Sequence, residues 1–172
     1  GGVGKTTTSI NLAAGVARLG KNVLLVDMDP QGNASSGVGI HERNELTTLY
    51  NMIEDGVKVE DGIIHIDERL HLLPSNSDLV GLEVLLASEE DWQGRLGEAL
   101  EEVDDHYDYI FIDCPPSLGF LSIMSLVAAD GVIIPIQSEY YALEGVSQLF
   151  KTIQLVKSSH NPELEIEGVI LT

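Results

Sequence analysis

The 172-residue chain has a single cysteine, Cys114. One thiol excludes an internal disulfide and a four-cysteine metal site within one chain, and it fits a reducing compartment. Basic residues are scarce: nine Lys and Arg stand against 28 Asp and Glu, a net charge of −19. A surface this acidic argues against nucleic-acid binding by these residues alone and reads first as solubility. No long membrane-type run is present. The longest apolar stretch, Phe120 to Ile136, is broken by Ser122, Ser125, Asp130 and Pro135. It reads as a buried helix followed by a buried strand. His41, His65, His71, His106 and His160 show no metal-ligand spacing. There is no internal repeat, low-complexity tract or linker. No initiator Met precedes the first glycines, so no secretory leader can be read and the sequence reads as a fragment.

What is present is a globular composition, 44% hydrophobic and 22% charged. Its length fits one domain with a sizeable core. The chain opens on Gly1-Gly2-Val3-Gly4-Lys5-Thr6-Thr7. A glycine-rich turn ending in Gly-Lys-Thr lets backbone N–H groups converge on phosphate oxygens. The Lys5 ammonium reaches the β- and γ-phosphates, and the Thr6 hydroxyl ligates Mg²⁺. Thr7 is placed to bond a phosphate through its hydroxyl or its N–H, at what is also a helix N-terminus.

Helical spacing over 6–19 ends at Gly20, and the apolar run 22–27 suits a parallel strand covered on both faces. The Gly-, Ser- and Asn-rich stretch 31–39 reads as a loop. Helices are expected over 46–53, 79–87, 92–103, 120–129 and 142–157, and strands over 70–74, 109–113, 131–136 and 167–172. This alternation predicts a doubly wound α/β domain with a mainly parallel sheet, residues 1–172 forming one partial P-loop NTPase domain. A phosphate loop joins a strand to a helix. The strand expected ahead of Gly1 is central, so the chain alone is expected to be poorly stable.

Carboxylates fall where such sheets bind ligands, at the carboxyl ends of strands. Asp27 and Asp29 close the second strand, spaced to share a face. Either one meets Mg²⁺-bound water or orients the attacking water. Asp113 ends an apolar strand, where a Walker-B carboxylate holds Mg²⁺. Pro115, Pro116 and Gly119 then make a stiff loop suited to sensing a γ-phosphate. Cys114 reads as a packed residue, Tyr140 and Tyr141 as packing or ligand-rim contacts, and Gln137 and Glu139 as site-shaping or solvated loop residues.

These motifs together resemble the ParA family of partitioning ATPases, the group that includes Soj. Gly1–Thr8 matches the family's deviant Walker A, and V-D-M-D-P-Q-G-N at Val26–Asn33 resembles its first switch. I-D-C-P-P-S at Ile112–Ser117 resembles its Walker B and second switch, and Pro135–Gly145 resembles a further family segment. The resemblance implies a cytoplasmic, nucleoid-associated Mg-ATP switch that forms a homodimer with nucleotide at the interface. It implies non-specific DNA binding when ATP-bound, through a region mostly past Thr172, and a ParB-type partner that stimulates slow hydrolysis. By that resemblance Gly1, Gly2, Val3, Gly4, Lys5, Thr6 and Thr7 bind the nucleotide, and Lys5 and Asp29 are catalytic. Thr6 and Asp113 hold Mg²⁺, with Asp27 assisting. The family's signature Lys falls just before Gly1.

Three alternatives compete. A membrane-associated division-site regulator resembling MinD shares the deviant loop but normally lacks D-P-Q-G-N and uses a C-terminal amphipathic helix. A protein resembling the nitrogenase iron protein needs two cysteines per subunit to bridge its cluster. A catalytically dead binding module is disfavoured by the presence of Lys5, Thr6, Asp29 and Asp113.

Overall fold

The computed structural model describes residues 4–137 and 142–172. Helix α1 (Lys5–Arg18) starts on Gly4, whose φ of +77° lies in the left-handed region open to glycine. The chain turns at Leu19 and Gly20 and enters β1 (Val23–Asp27), which is buried along its whole length. Two parallel strands flank β1: β3 (Leu70–Leu73) and β4 (Tyr109–Asp113). A two-residue strand, β2 (Ile64–His65), pairs antiparallel with β3, giving the order β2-β3-β1-β4.

The sequence Val-Leu-Leu-Val explains the central place of β1, because a strand apolar at every position needs cover on both faces. Leu24 and Val26 join a cluster with Leu49, Met52, Leu82, Leu96, Leu100 and Met124. Those residues come from or adjoin α3 (Leu49–Glu54), α4 (Leu82–Leu86), α5 (Arg95–Glu101) and α6 (Phe120–Ala128). Val23 and Leu25 face the opposite cluster with Ala13, Ala34, Leu70 and Leu72, beneath α1 and α2 (Asn33–Gly37). The fold is the doubly wound, mainly parallel α/β arrangement that the alternating pattern indicates.

The rest of the chain forms a smaller unit. β5 (Gly131–Ile136) and β6 (Glu165–Leu171) pair in parallel, joined by α7 (Ala142–Ser159), over a core of Leu126, Ile134, Ile153, Val156 and Leu164. Asn161 secures it to α6: its Nδ2 donates to the carbonyls of Leu126, Val127 and Ala129 at 3.0, 3.2 and 2.7 Å. Among the described residues no strand pairing joins β4 to β5. Each therefore keeps an unpaired edge among these residues.

Four local expectations change. The segment expected as a loop over 31–39 contains α2, because Asp27 supplies acceptors to Ser35 that local Gly, Ser and Asn propensity does not reveal. α3 starts later than expected, at Leu49, since Thr48 and Asn51 form a capping box at its start. The helix expected over 92–103 divides into a 3₁₀ turn (Trp92–Gly94) and α5, with Trp92 stacked on Phe120 at 3.9 Å. The helix expected over 79–87 likewise begins as a 3₁₀ turn (Ser77–Gly81) before α4.

Candidate functional site

The carboxyl ends of β1 and β4 meet the amino end of α1. The first backbone bond of that helix runs from Thr8 N–H to the Gly4 carbonyl at 2.9 Å. The amides ahead of it are the helix's orphan donors, which suit an anion. Gly1, Gly2 and Val3 lie outside the described residues. Lys5, Thr6 and Thr7 form the first turn of the helix.

Asp113 is the hub. It is 1% exposed, and both of its oxygens accept from α1 hydroxyls: Thr6 Oγ1 at 2.8 Å on Oδ2 and Ser9 Oγ at 2.8 Å on Oδ1. Burial pushes the Asp113 carboxyl above the ordinary range, while the Ser9 and Thr6 hydrogen bonds pull it back. The Asp29 charge raises it further and the Lys5 charge lowers it. The site therefore holds a partly desolvated carboxylate that a cation would stabilise.

Asp27 sits beside Asp113 in register on the neighbouring strand. Its oxygens organise the following loop: Oδ1 accepts from Asp29 N–H at 3.2 Å, and Oδ2 from Ser35 N–H and Ser35 Oγ at 2.8 and 2.6 Å. Burial raises its pKa most, the Ser35 and Asp29 hydrogen bonds lower it, and the Asp113 charge adds to the rise. Asp29 is buried and accepts from Gln31 N–H and Asn33 Nδ2, both at 2.9 Å. Its carbonyl accepts from Gly32 N–H and from Ser75 Oγ, which ties the loop to the end of β3. Among the described residues each Asp29 carboxylate oxygen accepts one of these bonds, and a carboxylate oxygen can accept a further donor.

Among the described residues no group of three or more His, Cys, Asp or Glu could hold a metal by itself. A hydroxyl, one carboxylate and a helix N-terminus are nonetheless the donor set of a magnesium–phosphate site, because Mg²⁺ keeps several waters and takes few protein ligands. The residues present fit that group.

The family model described as AAA domain matches residues 1–166. The chromosome partitioning protein ParA of Myxococcus xanthus is 51% identical over the whole chain, which spans 61% of that relative. The sporulation initiation inhibitor protein Soj of Bacillus subtilis is 52% identical, again over the whole chain, which spans 68% of it. The chain belongs to the ParA/Soj family of partitioning ATPases. It spans only about two thirds of these relatives. Among solved structures, cobyrinic acid a,c-diamide synthase from Mycobacterium smegmatis, with bound ATP analogue and magnesium, superposes with a TM-score of 0.91 at 38% identity. That match covers 99% of this chain and 70% of the synthase.

Within this ParA/Soj-family chain the structure brings Thr6, Asp27, Asp29 and Asp113 together, with Lys5 close enough to act on the Asp113 charge. Burial pushes the Cys114 thiol up to about 11, which favours the protonated form and suits a packed residue. Glu139, Tyr140 and Tyr141 lie outside the described residues. Pro115 is buried while Pro116 and Gly119 are exposed, and the Ser117 carbonyl accepts from Ser122 Oγ at the start of α6.

Sequence reasoning missed Ser9, Ser35, Ser75 and Arg43. Ser9 lies on the helix face one turn past Thr6, a spacing that could have exposed it. Three of the five histidines, His65, His71 and His106, line one cavity of about 350 Å³ with Tyr107 and Glu60. Their separation in sequence hid this grouping, and the cavity lies at the other end of the strands from Asp27 and Asp113.

Proposed function

We propose that this chain is the nucleotide-binding part of a Mg-ATP-dependent ATPase switch for chromosome or plasmid partitioning. The observation that supports it most is the double clamp of Thr6 and Ser9 on Asp113 beneath the amino end of α1. In this reading the amides of the first loop and Lys5 hold the phosphates, and Thr6 and Asp113 hold Mg²⁺, which neutralises phosphate charge when bound. Asp27 acts on the metal through charge and by keeping the loop in place. Gly1, Gly2, Val3, Gly4 and Thr7 complete the phosphate cradle. Asp29 positions the attacking water with its remaining acceptor capacity, and the Gln31 and Asn33 contacts fix the direction of the carboxylate.

The wider reading follows the partitioning relatives. The whole protein dimerises with ATP at the interface, binds DNA non-specifically in that state, and is stimulated by a ParB-type partner. It works in the cytoplasm on the nucleoid. The described residues contain no helix long and apolar enough to cross a membrane.

The test uses the full-length protein. Equilibrium ATP binding, ATP turnover and DNA co-sedimentation are measured for the wild type and for Lys5→Ala. The expected result is DNA binding that requires ATP and weakens with salt, with ATP affinity falling about a hundredfold in Lys5→Ala through loss of a charge-assisted phosphate contact. Near-normal turnover in Lys5→Ala, or DNA binding indifferent to nucleotide, contradicts the reading.

A further inference from the structure

We infer that Arg43 is a positioning residue for Asp29, a latch that fixes the turn through which the aspartate is presented. This rests on the ATPase reading above. Arg43 lies beyond the Asp29 segment and folds back on it. Its Nη2 donates to the Gln31 carbonyl at 3.0 Å, and its Nη1 donates to Ser36 Oγ at 2.9 Å and to the Ile40 carbonyl at 3.2 Å. One guanidinium thus ties together the turn after Asp29, helix α2 and the segment that follows it.

The fit extends to Gly32. That residue has φ +65°, and a Cβ there would overlap the guanidinium of Arg43. The positive φ favours glycine at position 32, and a side chain there would push the Arg43 guanidinium off its contacts. The Asp29 carboxylate meanwhile accepts from Gln31 N–H and Asn33 Nδ2 on either side of Gly32. Arg43 and Asp29 hold the same turn from opposite directions, Arg43 through its carbonyl and Asp29 through its amide. Moving the turn therefore moves the carboxylate.

A guanidinium suits this set of contacts. Its planar fork offers five donors in fixed directions, whereas a Lys ammonium is a compact charge. The latch is also incomplete. Arg43 Nε is buried without a partner, and it is the one such buried side-chain atom among the described residues.

The experiment compares the wild type, Arg43→Lys and Arg43→Gln in the full-length protein. Hydrogen exchange of the amides over 31–39 is followed together with kcat and KM for ATP. The latch predicts exchange at least about tenfold faster in Arg43→Gln, read as local opening. It predicts a kcat lower by about ten- to a hundredfold with KM within about twofold, because a misplaced group costs turnover more than binding. Arg43→Lys should recover part of both effects. Unchanged exchange over 31–39 in both variants overturns the latch. So does a KM that rises as much as kcat falls, since that assigns Arg43 to binding. If the wild type itself neither binds nor hydrolyses ATP, the ATPase reading fails, while the exchange comparison still decides whether Arg43 holds the turn.

Discussion

Strands β1 and β5 are almost equally apolar, Val-Leu-Leu-Val-Asp against Gly-Val-Ile-Ile-Pro-Ile, yet their surroundings differ. No β1 residue is more than 1% exposed, whereas Ile133 of β5 is 38% exposed and Val169 of its partner β6 is 50% exposed. Sequence alone makes both strands candidates for a covered parallel sheet. What separates them is neighbours: β1 has a parallel partner on each side, and β5 has one. The chemistry follows the same division. Asp27 and Asp113 close β1 and β4 side by side, and burial is the first cause that raises both carboxyl pKa values and makes a cation welcome.

The sharpest way to break this comparison is to cut equal side chains from both halves. Leu25→Ala in β1 should cost about 3 kcal/mol of unfolding free energy, the usual size for a buried large-to-small change. Ile133→Ala should cost about 1 kcal/mol or less, since part of its side chain is already in water. Urea unfolding of the two variants checks this, and equal costs would show that β5 is covered as fully as β1.

Next in size is the pH dependence of the site itself. Asp27 and Asp113 titrate above the ordinary carboxylate value of 3.8 in the folded chain. The folded state then binds more protons than the unfolded state, so the ionised groups oppose folding at neutral pH. That opposition fades as pH falls through the raised values toward 3.8. A bound cation removes the same opposition. The rise in Tm produced by Mg-ATP should therefore be larger at about pH 7.5 than at about pH 5. A rise that is the same at both would detach the carboxylates from the metal.

The smallest expected effect concerns Ser9. Ser9→Ala removes one of the two hydroxyls on Asp113 and should cost about 1 kcal/mol of stability. It should also raise the Mg²⁺ concentration needed for half-maximal turnover. An unchanged Mg²⁺ dependence would make Ser9 a packing residue and leave Thr6 alone at the hub.

The same contrast explains what the sequence made legible. Every strand of four residues or more, and the helices that cover them apart from α2, follow from apolar runs and helical spacing, which local chemistry sets. The two-residue β2 is too short to show a period. Helix α2 stands on long-range acceptors from Asp27, and its own Asn-Ala-Ser-Ser-Gly argues for a loop. The grouping of Lys5, Thr6, Asp29 and Asp113 at one end of the sheet was legible because motif spacing encodes it. Arg43, Ser35 and Ser75 were not, since their roles exist only after the chain has brought Gln31, Asp27 and Asp29 against them.

The central claim is that the well-covered half holds a hydrolytic nucleotide site in which Asp29 directs water. Single-turnover ATP hydrolysis by full-length Asp29→Ala, measured beside its equilibrium ATP affinity, tests it most directly. The account predicts affinity within about threefold of wild type and turnover at least about a hundredfold slower, the range for loss of a water-orienting base. Turnover equal to wild type would contradict it.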